Sequence, residues 1–155
     1  TLPPFLTGLG TMSSAAAMPV TLLAAEKNTK NPELSKIVIP STANIHLLGD
    51  CIAIPILAIA VISSFGFAEP SMMEYLWFAV FFVIAKFAVA AVPAGGIIVM
   101  LPVLEQYLGF NSEMLSLITA LYIMFDSVIT GMNVAGNSAF VVIFNNISKI
   151  FKVQK

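Results

Sequence analysis

Residues 75–104 read YLWFAVFFVIAKFAVAAVPAGGIIVMLPVL, an apolar stretch with Val92-Pro93-Ala94-Gly95-Gly96 near its middle. Proline interrupts a helix because it lacks the amide hydrogen, and glycine weakens a helix because it costs backbone entropy. The arm before Pro93 has about 17 residues and the arm from Ile97 to Gly109 about 13, whereas a full membrane crossing needs about 20. The stretch therefore predicts one kinked span or a re-entrant hairpin, and it excludes two full spans.

The charged residues outside the apolar stretches decide between a kinked span and a re-entrant hairpin. They form lysine clusters at 27–36 and 149–155 and purely acidic segments at 69–74 and 105–113. Lysine-rich loops stay on the cytoplasmic side of a membrane. The stretch at 75–109 must then begin and end on the outer side, so we predict a re-entrant hairpin whose tip lies near Pro93.

The composition of the whole chain is typical of a membrane protein. Of its 155 residues, 59% are hydrophobic and 10% are charged, whereas a soluble domain carries roughly 25% charged residues. The single cysteine, Cys51, excludes an internal disulfide, and the net charge of −1 argues against a nucleic-acid partner. We predict an all-α membrane protein with re-entrant helical hairpins and broken transmembrane helices.

Three further apolar stretches complete the predicted architecture. Residues 1–25 are rich in small residues, which allow close approach of helices, and a polar linker at 26–36 follows them. Residues 37–68 would form a helix about 48 Å long across a core of about 30 Å, so we predict a break at Asn44–Asp50. Residues 114–150 form the last transmembrane helix.

Three charged or titratable residues inside these stretches are functional candidates. Asp126 lies near mid-membrane, where a carboxylate costs about 2.5–3.5 kcal/mol and marks a functional site by default. His46 and Asp50 are four residues apart and would face each other on a helix, as a proton relay or as a structural pair. Lys86 is some 16 Å along its arm, too deep for its side chain to reach the headgroups unless the arm is tilted.

Two segments rich in small residues could bind an anion through their backbone N–H groups. Half-helix N-termini that point at an anionic substrate group are a common device in transporters. Close packing of small residues is the alternative explanation. The candidates are Ser13 and Ser14 in the stretch at 1–25 and Pro93, Ala94 and Gly95 at the tip of the hairpin predicted at 75–109.

The order of four motifs resembles the C-terminal transport core of the dicarboxylate/amino acid:cation symporters, the glutamate-transporter fold. Ser13-Ser14 with Met18-Pro19-Val20-Thr21 is similar to the tip and descending arm of the first hairpin, and Ile39-Pro40 with Asn44–Asp50 to the unwound seventh helix. Val92–Gly96 is similar to the second hairpin, and Asn133-Val134-Ala135-Gly136 to the eighth helix. In that family the earlier helices form a trimerising scaffold, which we expect to be missing from this chain.

The resemblance implies roles for residues of the last helix. Asp126 matches the aspartate that binds the amino group of the substrate, and Thr130 and Asn133 match further binding residues. Ile129 stands where family members with acidic substrates have an arginine. The positions implied for the coupling ion are Asn44, His46, Asn133, Asn137 and, as a cation substitute, Lys86. The family's sodium-binding aspartates are replaced here by Leu48 and Asn137. The threonine after the family's glycine is replaced by Asp50, which is therefore also a candidate for substrate binding.

These observations predict a symporter rather than an enzyme. It would take up an amino acid or a dicarboxylate, with a neutral amino acid favoured because the arginine is missing, coupled to Na+ or H+ without a prosthetic cofactor. We expect a multi-pass protein of the plasma membrane (a bacterial inner membrane), in contact with the lipid bilayer and trimeric through the missing scaffold. An intramembrane aspartyl protease built on Asp50 and Asp126, or an inactive transporter remnant, is the alternative.

Overall fold

The computed structural model describes residues 2–89 and 93–153, with residues 152 and 153 described by their backbone alone. Within these ranges the chain forms α-helices and no strands. The helices are α1 (Leu2–Thr11), α2 (Ser14–Thr29), α3 (Pro32–Thr42), α4 (Leu48–Ser64), α5 (Met72–Lys86), α6 (Gly95–Ile98), α7 (Leu101–Leu108) and α8 (Ser112–Val153).

Helices α1 and α2 pack against each other as a helical hairpin. The turn between them contains Met12, with a left-handed φ of 50°, and Ser13, which is extended with φ −142°. The Ser13 side chain accepts a hydrogen bond from the Ala16 amide at 3.2 Å and so caps α2. This hairpin contains the described part of segment 1–25, and α2 continues beyond it to Thr29.

Most of the polar linker at 26–36 is helical. Only Lys30 and Asn31 connect α2 to α3. Lys30 is left-handed with φ 54°, and the Asn31 side chain accepts from the Leu34 amide at 3.2 Å. Proline at the first turn then favours the start of α3 at Pro32, five residues before the predicted boundary at 37.

The stretch at 37–68 is divided into α3 and α4 by the non-helical residues 43–47. The predicted break extended to Asp50, but Leu48, Gly49 and Asp50 belong to the first turn of α4. The cap position of α4 is Leu47, whose side chain makes no capping hydrogen bond. The N-terminus of α4 therefore needs hydrogen-bond acceptors from elsewhere in the molecule.

The stretch at 75–109 forms two arms that pack against each other, α5 on one side and α6 with α7 on the other. A capping box between Ser71 and Glu74 fixes the start of α5. The second arm ends at Gly109, which has a left-handed φ of 67°. Residues 90–92 lie outside the described part, so Val92 of the tip motif is not placed.

Helix α8 is uninterrupted over its 42 residues and is about 63 Å long at 1.5 Å per residue. The stretch at 37–68 is thus divided into two helices, whereas α8 contains no break. Among the described residues, the segment Ser112–Phe151 is the one helix long and apolar enough to cross a membrane, by length and composition. Helices α1, α2, α3, α4, α6 and α7 all contact α8.

Two apolar clusters fill the spaces around α8. The larger lies between α4, α5–α7 and α8 and includes Ile54, Phe78 and Ile118. The smaller joins α2, α3 and α8. Large apolar side chains also cover outward faces, with Phe87 67% and Met72 83% exposed. Exposed apolar surface of this extent marks contact with lipid or with another protein surface.

Candidate functional site

A small cavity lies where the middle of α8 meets the N-terminus of α4 and the tips of both hairpins. Its volume is about 20 Å³, enough for roughly one water molecule. The lining residues are Met12, Ser14, Leu47, Asp50, Val89, Gly96, Tyr122, Asp126, Thr130 and Asn133. Residues from four separate parts of the chain therefore surround one polar point inside an apolar molecule.

Asn133 of α8 caps α4 across the helix interface. Its Oδ1 accepts hydrogen bonds from the Gly49 amide at 2.7 Å and from the Asp50 amide at 3.4 Å. The approach is close, because a Cβ atom on Gly49 would lie 2.3 Å from the Ile129 carbonyl oxygen. Glycine at 49 and asparagine at 133 thus anchor the first turn of α4, and with it Asp50, to α8.

Asp50 and Lys86 form a buried ion pair. The Lys86 Nζ lies 2.9 Å from Asp50 Oδ2, and the two side chains are 5% and 1% exposed. Lys86 Nζ also donates to the Gly96 carbonyl at 2.9 Å, and the Tyr122 hydroxyl donates to Asp50 Oδ1 at 2.7 Å. A Cβ on Gly96 would lie 2.3 Å from Tyr122 Oη and 2.6 Å from Asp50 Oδ2, so this arrangement requires glycine there.

Asp126 is 4% exposed and has neutral hydrogen-bond donors. Its Oδ2 accepts from the Ala94 amide at 2.8 Å, and its Oδ1 accepts from Thr130 Oγ1 at 3.2 Å. Within the described ranges it forms no ion pair. Asp126 is thus a buried carboxylate without a countercharge, in direct contact with the tip of the second hairpin.

The two carboxylates have separate partners, Lys86 and Tyr122 for Asp50, and Ala94 and Thr130 for Asp126. No hydrogen bond joins Asp50 to Asp126 in the part of the chain that the structure describes. An aspartyl protease requires two carboxylates that share a proton. The arrangement therefore gives no support to the protease alternative.

The structure brings some of the predicted substrate residues together and leaves others aside. Ser14, Asp50, Asp126, Thr130 and Asn133 line the cavity, and Ala94 reaches it through its amide. Ser13 caps α2, Pro93 is exposed, and Gly95 is buried outside the cavity lining.

Sequence reasoning missed Tyr122 as a site residue. It precedes Asp126 by four positions, so the two side chains share a helix face, and this spacing could have revealed it. Gly96 belongs to the predicted tip motif, but the contact of its carbonyl with Lys86 was not predicted. A backbone contact of this kind gives no signal in the sequence.

The candidates for the coupling ion are scattered around the break between α3 and α4. His46 packs on the Phe140 ring with 4.8 Å between ring centroids, and its buried Nδ1 has no hydrogen-bond partner. No hydrogen bond joins His46 to Asp50 among the described residues, because His46 lies in the break and Asp50 in α4. Asn44 is exposed, and Asn137 accepts a short hydrogen bond from Thr42.

Lys86 does not reach the headgroups, because it is 4% exposed and engaged with Asp50. Its ammonium also lies 5.2 Å from the centre of the Phe82 ring. Groups of three or more His, Cys, Asp or Glu side chains that could hold a metal are absent from the described residues.

Comparison with known proteins identifies the family of this chain. The model of the sodium:dicarboxylate symporter family matches residues 1–147. The chain is 30% identical over 134 residues to a putative sodium-dependent excitatory amino acid transporter of Caenorhabditis elegans, covering 86% of this chain and 26% of that protein.

Two further relatives are more distant. The chain is 28% identical over 146 residues to human excitatory amino acid transporter 2, covering 94% of this chain and 25% of that protein. It is 27% identical over 139 residues to a serine/threonine transporter of Acinetobacter baumannii, covering 90% and 34%. The chain thus spans about a quarter to a third of the length of these relatives. No solved structure matches the chain. Since the family match extends over nearly every residue, this chain belongs to the sodium:dicarboxylate symporter family.

Proposed function

We propose that the chain is the substrate-binding core of a secondary active transporter, a symporter that takes up an amino acid or a dicarboxylate. The observation that carries this proposal is the contact between the Ala94 amide and Asp126, 2.8 Å apart. A buried carboxylate without a countercharge is a binding group for a cation, and here the tip of a helical hairpin covers it. A binding group under a movable element is what alternating access requires.

The chemistry of the cavity favours an amino acid with a neutral side chain. Asp126 would bind the substrate's ammonium group, and Asn133 and the amides near the hairpin tips would bind its carboxylate. A second carboxylate would need its own cation, but the chain contains no arginine, and Lys86 is engaged with Asp50. Ile129, three residues from Asp126, is apolar and 2% exposed.

Substrate entry requires the second hairpin to move. The cavity of about 20 Å³ holds roughly one water molecule, whereas pockets for small ligands measure about 300–1,000 Å³. In our proposal the segment at 75–109 is a re-entrant hairpin and the outer gate. Opening breaks the bond between the Ala94 amide and Asp126, and the substrate's ammonium takes the place of that amide.

Sodium is the coupling ion that we propose, on the basis of family membership, with H+ as the alternative. Transporters of broken-helix design bind Na+ with unwound backbone carbonyls. The non-helical residues 43–47 could supply such carbonyls beside Asn137.

The proposed membrane topology has a first hairpin at 1–25 and two membrane spans, at 37–68 and 114–150. The complete protein would be a trimer in the plasma membrane.

The test is uptake by the complete transporter in proteoliposomes, with Na+ and pH gradients imposed separately. We expect uptake of neutral amino acids by the wild type and at least a tenfold loss in Asp126→Asn, which corresponds to about 1.4 kcal/mol or more. Glu113→Gln is the matched control, because it removes an exposed carboxylate from the same helix. Full uptake by Asp126→Asn, or no uptake of any amino acid or dicarboxylate by the wild type, would contradict the proposal.

A further inference from the structure

The Lys86 ammonium contacts two oxygen atoms that different elements contribute. It lies 2.9 Å from Asp50 Oδ2 in α4 and 2.9 Å from the Gly96 carbonyl oxygen in α6. Lys86 itself is the last residue of α5. One carboxylate oxygen and one backbone carbonyl oxygen around a buried positive charge are also the ligand types that hold a monovalent metal cation.

The same contacts connect both arms of the second hairpin to the body of the molecule. Lys86 belongs to the first arm and Gly96 to the second, while Asp50 is fixed to α8 through Asn133 and Tyr122. A single positive charge therefore bridges the two arms and attaches them to α4. Opening of the hairpin therefore either breaks the ion pair between Lys86 and Asp50 or moves both residues together with the first arm.

The buried charges around this bridge determine how many cations the core requires. The buried charged side chains of the described residues are Asp50, Lys86 and Asp126, with charges of −1, +1 and −1. Lys86 neutralises Asp50, so Asp126 alone still requires a cation. A core with the same carboxylates and no lysine would require two cations, because an unpaired buried charge is strongly destabilising.

We propose that Lys86 is a resident cation that takes the place of one coupling Na+ at Asp50 and closes the second hairpin without it. This inference rests on the proposed function as a symporter. The lysine returns with the protein after each cycle and so carries no net charge across the membrane. The transporter then moves one cation fewer per substrate than the same core with a neutral residue at 86.

The inference predicts that a Na+ site appears when the lysine is removed. In Lys86→Gln, Asp50 loses its countercharge while the Gly96 carbonyl remains beside it. A Na+ ion then binds at Asp50. In the double variant Lys86→Gln/Asp50→Asn, both charges are absent and the site is lost. Lys36→Gln is the matched control, because it removes an exposed lysine elsewhere.

The first measurement is the melting temperature of the complete transporter without substrate, with NaCl titrated against choline chloride at constant ionic strength. A ligand that binds the folded state raises the melting temperature with its concentration. We expect a Na+-dependent stabilisation in Lys86→Gln that exceeds that of the wild type, the double variant and Lys36→Gln. A Lys86→Gln protein that folds only in Na+ supports the inference as well.

The second measurement is the charge moved per substrate, from reversal potentials in proteoliposomes. We expect one additional positive charge in Lys86→Gln and the wild-type value in the double variant. Equal Na+ responses in Lys86→Gln and the wild type, or equal responses in the single and double variants, would overturn the inference. A Lys86→Gln protein that is unfolded with and without Na+ would overturn it too. Wild-type uptake tests the proposed function separately, because the melting experiment needs no substrate.

Discussion

Gly49→Ala should strongly destabilise the protein, because the new methyl group would meet backbone atoms. Its Cβ would lie 2.3 Å from the Ile129 carbonyl oxygen, whereas ordinary contacts begin at 3.4 Å. The first turn of α4 must therefore retreat from α8 by about 1.1 Å to restore an ordinary contact. The Ile129 carbonyl belongs to the backbone in the middle of α8, so it cannot rotate away as the end of a flexible side chain could.

The cost of this retreat has two parts. Overpacking of a close contact costs about 1–3 kcal/mol. The retreat also stretches the bond from the Gly49 amide to Asn133, which is 2.7 Å long, and an unsatisfied buried group costs about 1–3 kcal/mol. The expected loss in the free energy of unfolding is then about 2–6 kcal/mol.

The assay is thermal melting of the complete transporter in detergent, alongside Gly10→Ala. Gly10 is also helical, and a Cβ there would meet nothing within 4 Å, so alanine should leave the melting temperature unchanged or raise it slightly. If Gly49→Ala melts at the same temperature as Gly10→Ala, the close approach of α4 to α8 is not as tight as we describe.

Two further substitutions test the second hairpin and the far end of α8. Gly96→Ala should abolish uptake with little loss of melting temperature, because its Cβ would meet the Tyr122 hydroxyl at 2.3 Å and hold the hairpin open; unchanged uptake would refute this. Asn145→Ala should cost about 1–3 kcal/mol in the free energy of unfolding, measured by melting, because buried Asn145 donates to the Thr29 carbonyl at 3.2 Å. Its neighbour Asn146 is exposed, so equal losses in Asn146→Ala would show that this bond contributes nothing.

Local signals in the sequence account for where most helices start and stop. The Asn31-Pro32 pair begins α3 because the asparagine caps it and the proline fits its first turn. Ser71 with Glu74 begins α5 in the same way. Most of the polar linker at 26–36 is helical, because charged residues such as lysine and glutamate are also good helix formers.

The sequence by itself determined that this chain is helical and apolar, that its third stretch is divided by a proline–glycine segment, and that Asp126 and Asn133 share a face of one helix. These properties depend on residues close together in the chain, which is why composition and spacing reveal them. Only the tertiary structure decided which buried charges meet. Asp50 binds Lys86 and Tyr122, which are 36 and 72 residues away, and Asn133 caps α4 from 84 residues away. Partners at such separations are selected by the packing of whole helices, where a buried polar group is stable only if a complementary group reaches it.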